Sequence, residues 1–189
     1  MENQALSAAW PRPTLSVTSI RSSAIPPRYN IAVPFVDRDF RIRDFKSEDF
    51  DALWRLDQEC FPPGIAYSRQ ELKTFVRHRG SFTLVAQGAK SSEIEGFIVA
   101  HSGTVGHIIT IDVRASARRA GVGSLLLRAA EERLQAAGSH AVGLETAVDN
   151  ISALSFYKRH GYSVIKTWPR YYSNGVDALV LKKELGTTA

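Results

Sequence analysis

The sequence predicts a mixed α/β domain on three observations. Residues 81–87, 94–101 and 104–113 are β-rich runs separated by short polar turns, the pattern of an antiparallel meander. The third run leads into two glycines and then into Val122, Leu125, Leu126, Ala129, Ala130, Arg133, Leu134 and Ala137 at helical spacing, and a new β-rich run follows at 141–148. Strand, crossover helix and strand make a parallel pair. Residues 162–166 and 176–182 then close the chain as two strands about the turn Tyr171-Tyr172-Ser173-Asn174-Gly175. The expected fold class is α/β with an α+β arrangement: one central, mostly antiparallel mixed sheet with flanking helices.

Each remaining element has its own warrant. The pattern F-R-I-R-D-F at 40–45 alternates as a half-buried strand does, and Lys46-Ser47-Glu48-Asp49 offers a helix start with acids in its first turn. That helix carries Phe50, Leu53, Trp54 and Leu56 or Asp57, and stops at Phe61-Pro62-Pro63-Gly64. A second helix, from 68 to about 79, begins on Ser68 with Glu71 three residues later, a capping box. Gly138 ends the glycine-opened helix. Asn150 caps a last helix that finishes in Lys158-Arg159-His160-Gly161, with cations in its final turn.

Composition sets the limits. At 189 residues and 44% apolar, the chain has room for one domain with a substantial core, placed at 36–189, since a domain of roughly 150 residues buries about two-thirds of its unfolded surface. Residues 1–35 hold five of the eight prolines and no usable period, so they read as a flexible tail. A targeting peptide is opposed by Glu2 ahead of any basic residue and by the lack of an apolar stretch behind it. One cysteine, Cys60, excludes an internal disulfide, and no apolar run approaches the roughly 20 residues of a membrane helix; a reduced cytoplasm and no membrane partner are expected. The net charge of +5 suits a polyanion. Nucleic acid, anionic lipid and a phosphorylated cofactor all qualify, so charge selects none of them.

The candidate chemistry centres on V-R-A-S-A-R-R-A-G-V-G-S-L-L-L, from Val113 to Leu127. Gly121 and Gly123 have no Cβ, so an anionic ligand can reach the unpaired N–H groups of the helix's first turn, and Arg118 and Arg119 add charge. A Walker A loop is excluded because no Gly-Lys pair occurs in the chain; a dinucleotide fingerprint needs a glycine where Leu126 stands. What fits is R-x-x-G-x-G at Arg118, Gly121 and Gly123, which resembles the acyl-CoA pyrophosphate loop of the GNAT superfamily of N-acetyltransferases. Asn150, Ala153, Tyr157, Gly161 and Tyr162 match the superfamily's second pattern, N-x-x-A-x-x-(F/L)-Y-x-x-x-G-(F/Y). Leu144-Glu145-Thr146 and the Tyr171-Tyr172 turn look like those of the ribosomal-protein alanine N-acetyltransferase subgroup. Ala115 departs from a frequent proline and Ala117 from a frequent aromatic.

The resemblance implies the GNAT acyl-CoA N-acyltransferase fold, with its parallel strand pair splayed, and acetyl-CoA as cosubstrate. Pantetheine is then expected on the backbone of Ile111, Asp112 and Val113, the Asp112 side chain being left on the strand surface. The pyrophosphate is expected on Arg119, Ala120, Gly121, Val122, Gly123 and Ser124, with Arg118 beside them. Asn150 and Tyr157 join the cofactor site, although the spacing of Asn150 also suits a plain helix cap. The acceptor groove lies between Phe61, Pro62 and Gly64 on one side and Tyr171 and Tyr172 on the other.

Acetyl transfer needs an uncharged amine, a donor for the carbonyl oxygen and a proton for the departing thiolate. Glu145 is the candidate base: strand alternation sets it among Ala141, Gly143 and Ala147, which leave room, although the pattern alone equally allows a salt-bridged strand glutamate. Tyr157, with an ordinary phenol pKa near 10, is the candidate acid. His101 and His107 stand at strand ends without metal-ligand spacing, and no metal is expected. The absence of G-x-S-x-G argues against an acyl-serine, leaving direct attack in a ternary complex. The expected function is transfer of acetyl to the N-terminal α-amine of a protein or peptide, a ribosomal protein being one candidate acceptor. The alternatives are lysine or a small amine as acceptor, a CoA sensor without turnover, and a basic nucleic-acid module. The last lacks a recognition helix or an RNA-binding aromatic signature, so no nucleic-acid partner is expected.

Overall fold

The computed structural model describes residues 36–37, 40–89 and 91–186; the expected tail at 1–35 lies outside them. The strands are β1 (Val36–Asp37), β2 (Phe40–Asp44), β3 (Ser81–Gly88), β4 (Ile94–His101), β5 (Val105–Val113), β6 (Ala141–Ala147), β7 (Ser163–Trp168) and β8 (Ala178–Glu184). The α-helices are α1 (Phe50–Cys60), α2 (Arg69–Arg77), α3 (Val122–Ala136) and α4 (Ile151–Arg159). One sheet runs in the order β1-β2-β3-β4-β5-β6-β8-β7. Its pairs are antiparallel except β5 with β6, so the expected meander and crossover are both present.

Local chemistry explains the helix starts. The Ser68 hydroxyl accepts from the Glu71 N–H at 3.3 Å while the Glu71 carboxylate accepts from the Ser68 N–H at 2.9 Å, which is the capping box read at the start of α2. Before α1 stands a short 3-10 turn, Ser47–Asp49. There Asp49 accepts from the Lys46 N–H at 2.8 Å and pairs with Arg43 at 2.7 Å, so this acid ties β2 to the helix start.

The sheet carries a core on each face. Leu84, Ala86, Ile98, Ala100, Ile108 and Leu144 pack with Val122, Leu126, Leu127 and Leu134 of α3, while Val85, Phe97 and Val99 pack with Leu53 and Leu56 of α1 and Leu72 of α2. At about 1.5–3 kcal/mol for each fully buried large apolar side chain, these two layers fix which side chains of the central strands face which helices.

The closing strands differ from expectation in place. Each begins one or two residues later than the pattern suggested, and β8 lies between β6 and β7. The reason is apolar content in the right register: Ala178 and Leu181 of β8 are fully buried, whereas every residue of β7 is exposed, so β8 takes the interior place.

Two irregularities open the sheet at its centre. The parallel pairing holds only for Val105 with Ala141, Gly106 with Val142 and His107 with Gly143, after which β5 runs on to Val113 and β6 to Ala147 without pairing to each other. On the other side of β5, the register shifts from Val99 opposite Thr110 to Ala100 opposite Ile108, so Ile109 is an unpaired bulge residue.

Candidate active site

The cradle is backbone first. Gly121 caps α3 with φ +89°, and Arg119 two residues earlier has φ +66°, so two left-handed residues turn the chain into the helix. The first bond of α3 runs from the Leu125 N–H to the Gly121 carbonyl at 3.0 Å, which leaves the N–H groups of Val122, Gly123 and Ser124 ahead of the helical ladder. A Cβ on Gly121 would meet nothing within 4 Å, so the space above these donors is open. Arg119 and Ala120 are exposed beside it.

Two expected cradle residues spend their side chains elsewhere. The Arg118 Nε donates to the Val113 carbonyl at 3.1 Å, bracing the loop against β5. His160 Nδ1 lies 2.8 Å from the Phe156 carbonyl and can only donate there, so its Nε2 in the neutral ring accepts from the Ser124 hydroxyl at 3.0 Å. Ser124 therefore ties α3 to α4 and offers a ligand its N–H. The Asn150 side chain accepts from the Ala153 N–H at 3.1 Å, the helix cap that its spacing allowed.

One expectation is corrected at the splay. Asp112 is 1% exposed, not on the strand surface. Its Oδ1 accepts from the Thr110 hydroxyl at 2.6 Å, and burial drives its carboxyl well above the ordinary range. The backbone explains the difference. The Arg114 N–H donates to the Glu95 carbonyl at 2.9 Å, so by alternation residue 112 is bonded to β4, whereas Ile111 and Val113 turn their N–H and C=O groups to the open side. The side chain of Asp112 falls instead on the face covered by α1, near Asp57 and Cys60.

Glu145 lies two residues beyond the last parallel pair, on the same face as Gly143 and its partner His107. Its Oε2 is 2.7 Å from His107 Nε2, both side chains about 15% exposed. The acid is thus paired within the site. Above it stand Tyr171 and Tyr172, edge to face at 5.0 Å, whose hydroxyls are held protonated by burial and then by the Glu145 charge. Tyr157 of α4 reaches the same place; burial, then the nearness of Asp112 and Tyr172, raises its phenol so that it keeps its proton at neutral pH. The Ser173 hydroxyl donates to the Gly64 carbonyl at 2.8 Å, so the turn after β7 touches the loop after α1, Phe61 half-buried and Pro62 exposed at its start.

Sequence reasoning missed three residues here. His107 was set aside as a strand-end histidine without metal-ligand spacing; it lies inside β5, in the register that brings it to Glu145. Tyr67 donates to the bulged Ile109 carbonyl at 3.3 Å, packs edge to face on Phe75 and lies near Tyr171 and Tyr172. Its one sequence signal was an aromatic just before the Ser68 cap, where a hydrophobic staple residue belongs. Asp57 is fully buried, accepting from the Tyr67 N–H at 2.8 Å and from Gln58 Nε2 at 2.9 Å, with its other oxygen unpartnered.

An open helix start beside a splayed strand pair, with a carboxylate, an imidazole and a protonated phenol at the fork, suits acyl transfer from a phosphorylated thioester carrier. Residues 50–162 match the acetyltransferase (GNAT) family. The chain is 31% identical over 149 residues, 76% of its length and 90% of the relative's, to an uncharacterised N-acetyltransferase of Methanocaldococcus jannaschii. It is 25% identical over 163 residues, 78% of its length and 95% of the relative's, to an N-alpha-acetyltransferase of Sulfurisphaera tokodaii. Among solved structures, Ard1 from Thermoplasma volcanium superposes with a TM-score of 0.71 at 26% identity, covering 78% of this chain and 99% of that one. The ribosomal-protein-S18-alanine N-acetyltransferase of Escherichia coli superposes with a TM-score of 0.68, covering 79% and 96%; at 18% identity it shares the fold. The chain belongs to the GNAT acetyltransferase family and is an acyltransferase. Among the described residues no helix is long and apolar enough to cross a membrane.

Proposed function

We propose that this acetyltransferase uses acetyl-CoA to acetylate the N-terminal α-amine of a protein, with chain ends that begin in a small residue such as alanine, a ribosomal protein's among them, as the finer reading. The observation that carries it is the Glu145–His107 pair beneath Tyr67, Tyr171 and Tyr172, in a site roofed by the Gly64–Ser173 contact. A roofed site favours a chain end over a side chain presented from the middle of a chain. The name of the Sulfurisphaera relative supports the same reading.

The residues fit acetyl-CoA where the test is backbone geometry: the open space at Gly121 and the N–H groups of Val122, Gly123 and Ser124 suit its pyrophosphate, with Arg119 adjacent. The outward backbone groups of Ile111 and the N–H of Val113 suit an extended amide chain, the Val113 carbonyl being engaged by Arg118 and Cys60. When bound, acetyl-CoA supplies the acetyl group as a thioester. Glu145, paired with His107, takes a proton from the acceptor's ammonium, and Tyr157 holds at its hydroxyl the proton that a thiolate needs. The bulge leaves the backbone at Ile109 outside the β4 ladder, in position to orient groups at the fork. An α-amine, with a pKa near 7.7–8.0, asks little of such a base, whereas deprotonating lysine at pH 7 costs about 4.6 kcal/mol. The single cysteine, a free thiol, suits a reducing cytoplasm.

Matched peptides test the acceptor. One carries a free N-terminal alanine and blocked lysines; the other is blocked at its N-terminus and carries a free lysine. The first is expected to release CoA faster, and faster turnover of the second would give the site to lysine.

A further inference from the structure

Three of the chain's five histidines lie in a row that starts at the Glu145 carboxylate and ends at the surface. His107 bonds to Glu145 at 2.7 Å. His101 is its direct cross-strand partner on β4, so the two side chains rise side by side on one face of the sheet. The ring of His78, at the C-cap of α2, sits edge to face on that of His101 with centroids 4.9 Å apart. Exposure rises along the row, from about 15% at His107 through a half-buried His101 to an exposed His78 beside Lys73 and Arg77.

We propose that His101 and His78 conduct protons between the Glu145–His107 pair and bulk water, giving the acceptor's proton an exit along this face of the sheet toward the end of α2 while the peptide fills the groove. The inference rests on the acetyl-transfer reading. In that reaction RNH3+ and the thioester give RNHCOCH3, a thiol and one H+: the N–C bond forms, the C–S bond breaks, one N–H proton goes to sulfur and the other must reach water. The Glu145–His107 pair receives that second proton, and a bound peptide blocks its direct way out. The row offers another, His107 and His101 being cross-strand partners and His101 and His78 being in ring contact at 4.9 Å between centroids.

The seating of His101 supports this use. Its Nδ1 lies 3.4 Å from the Ser81 hydroxyl, which orients the ring. Gly80, with φ +88°, lets the ring lie close, since a Cβ there would come within 2.9 Å of His101 Cε1. Among the groups that face the His101 ring are His78 from the end of α2, Ser81 from β3 and His107 from β5. Burial, then the nearness of His78 and His107, lowers its pKa, so it is neutral at pH 7 with one nitrogen to accept a proton and one to release it.

The test uses the full chain, acetyl-CoA and the alanine-first peptide. His101→Phe keeps an aromatic ring in the stack, and His78→Ala changes an exposed residue. The expected result is a fall in kcat of about tenfold for His101→Phe and a smaller one for His78→Ala. Peptide KM, acetyl-CoA affinity and melting temperature should hold, and added imidazole should restore most of the rate. Rates within twofold of wild type in both variants, or losses that imidazole does not relieve, overturn the shuttle while wild-type turnover still upholds acetyl transfer. A wild type that turns over no amine overturns both.

Discussion

The two halves of the site are built in opposite ways. The proposed cradle is one continuous stretch, Arg118 to Ser124, whose candidate binding groups are backbone N–H donors set by two left-handed residues and a helix start. The proposed acceptor half gathers Tyr67, His107, Glu145, Tyr157 and the Tyr171-Tyr172 turn from distant parts of the chain, and its geometry exists only once β5 and β6 have paired and parted. The difference teaches that a ligand held by backbone can be built locally, while proton chemistry on an acceptor needs side chains that only tertiary structure brings together. It also predicts that the halves fail separately.

The largest effect is expected at the cradle. Gly121→Asp puts a negative side chain where phosphate should approach, at a position whose φ of +89° suits glycine, and calorimetry should find no acetyl-CoA binding. Gly121→Ala, which adds only strain, should cost about 1–2 kcal/mol of stability and leave binding measurable. Gly123→Glu should lose binding too. Unchanged affinity in a folded Gly121→Asp protein would remove the cradle from the site.

On the other half, Glu145→Gln should lower kcat by about a thousandfold, within the 10²–10⁴ range typical of a lost general base, with acetyl-CoA affinity unchanged. His107→Gln should fall in the same direction by less. Tyr157→Phe should cost about a hundredfold in kcat. Steady-state CoA release with parallel calorimetry checks all three; a variant that loses cofactor affinity and turnover together would join the two halves.

A smaller effect concerns the wall beneath the acceptor. Burial pushes the Asp57 carboxyl up to about 6, above its unfolded value near 3.8, so between those pH values the native state holds more protons than the unfolded chain. This group's contribution is therefore most favourable below about pH 4 and fades as pH rises through 6. Asp57→Asn should flatten that part of the melting-temperature profile by a few degrees. Profiles for wild type and variant that run parallel from pH 4 to 7 would contradict it. The smallest effect is expected from deleting residues 1–30, read as a tail: acetyl-CoA affinity and cooperative unfolding should persist, and loss of cooperativity would place part of that segment in the core.

What the sequence made legible follows the same division. Hydrophobic period, the Ser68 cap and the paired glycines are local signals, and they placed every helix and the meander and marked the glycine turn on which the cradle is proposed. The fate of Asp112 was misread because a bulge at Ile109 changes which face the following residues occupy, and a bulge has no residue-level mark here. His107 was passed over because a three-residue parallel pairing sets its distance to Glu145. The insertion of β8 between β6 and β7 turned on which closing strand carried fully buried residues, a property of the assembled sheet.

The central claim is that the Glu145–His107 pair removes the acceptor's proton, and the pH dependence of Glu145→Gln tests it most directly. Single-turnover acetyl transfer to the alanine-first peptide would be followed at saturating acetyl-CoA from pH 6.5 to 9. Without the base, only peptide that is already uncharged can react, so the variant's rate should rise about tenfold per pH unit below the amine pKa near 8 and level off above it, its deficit narrowing as pH rises. A variant that matches wild type at pH 7, or one whose deficit is the same at every pH, would contradict the assignment.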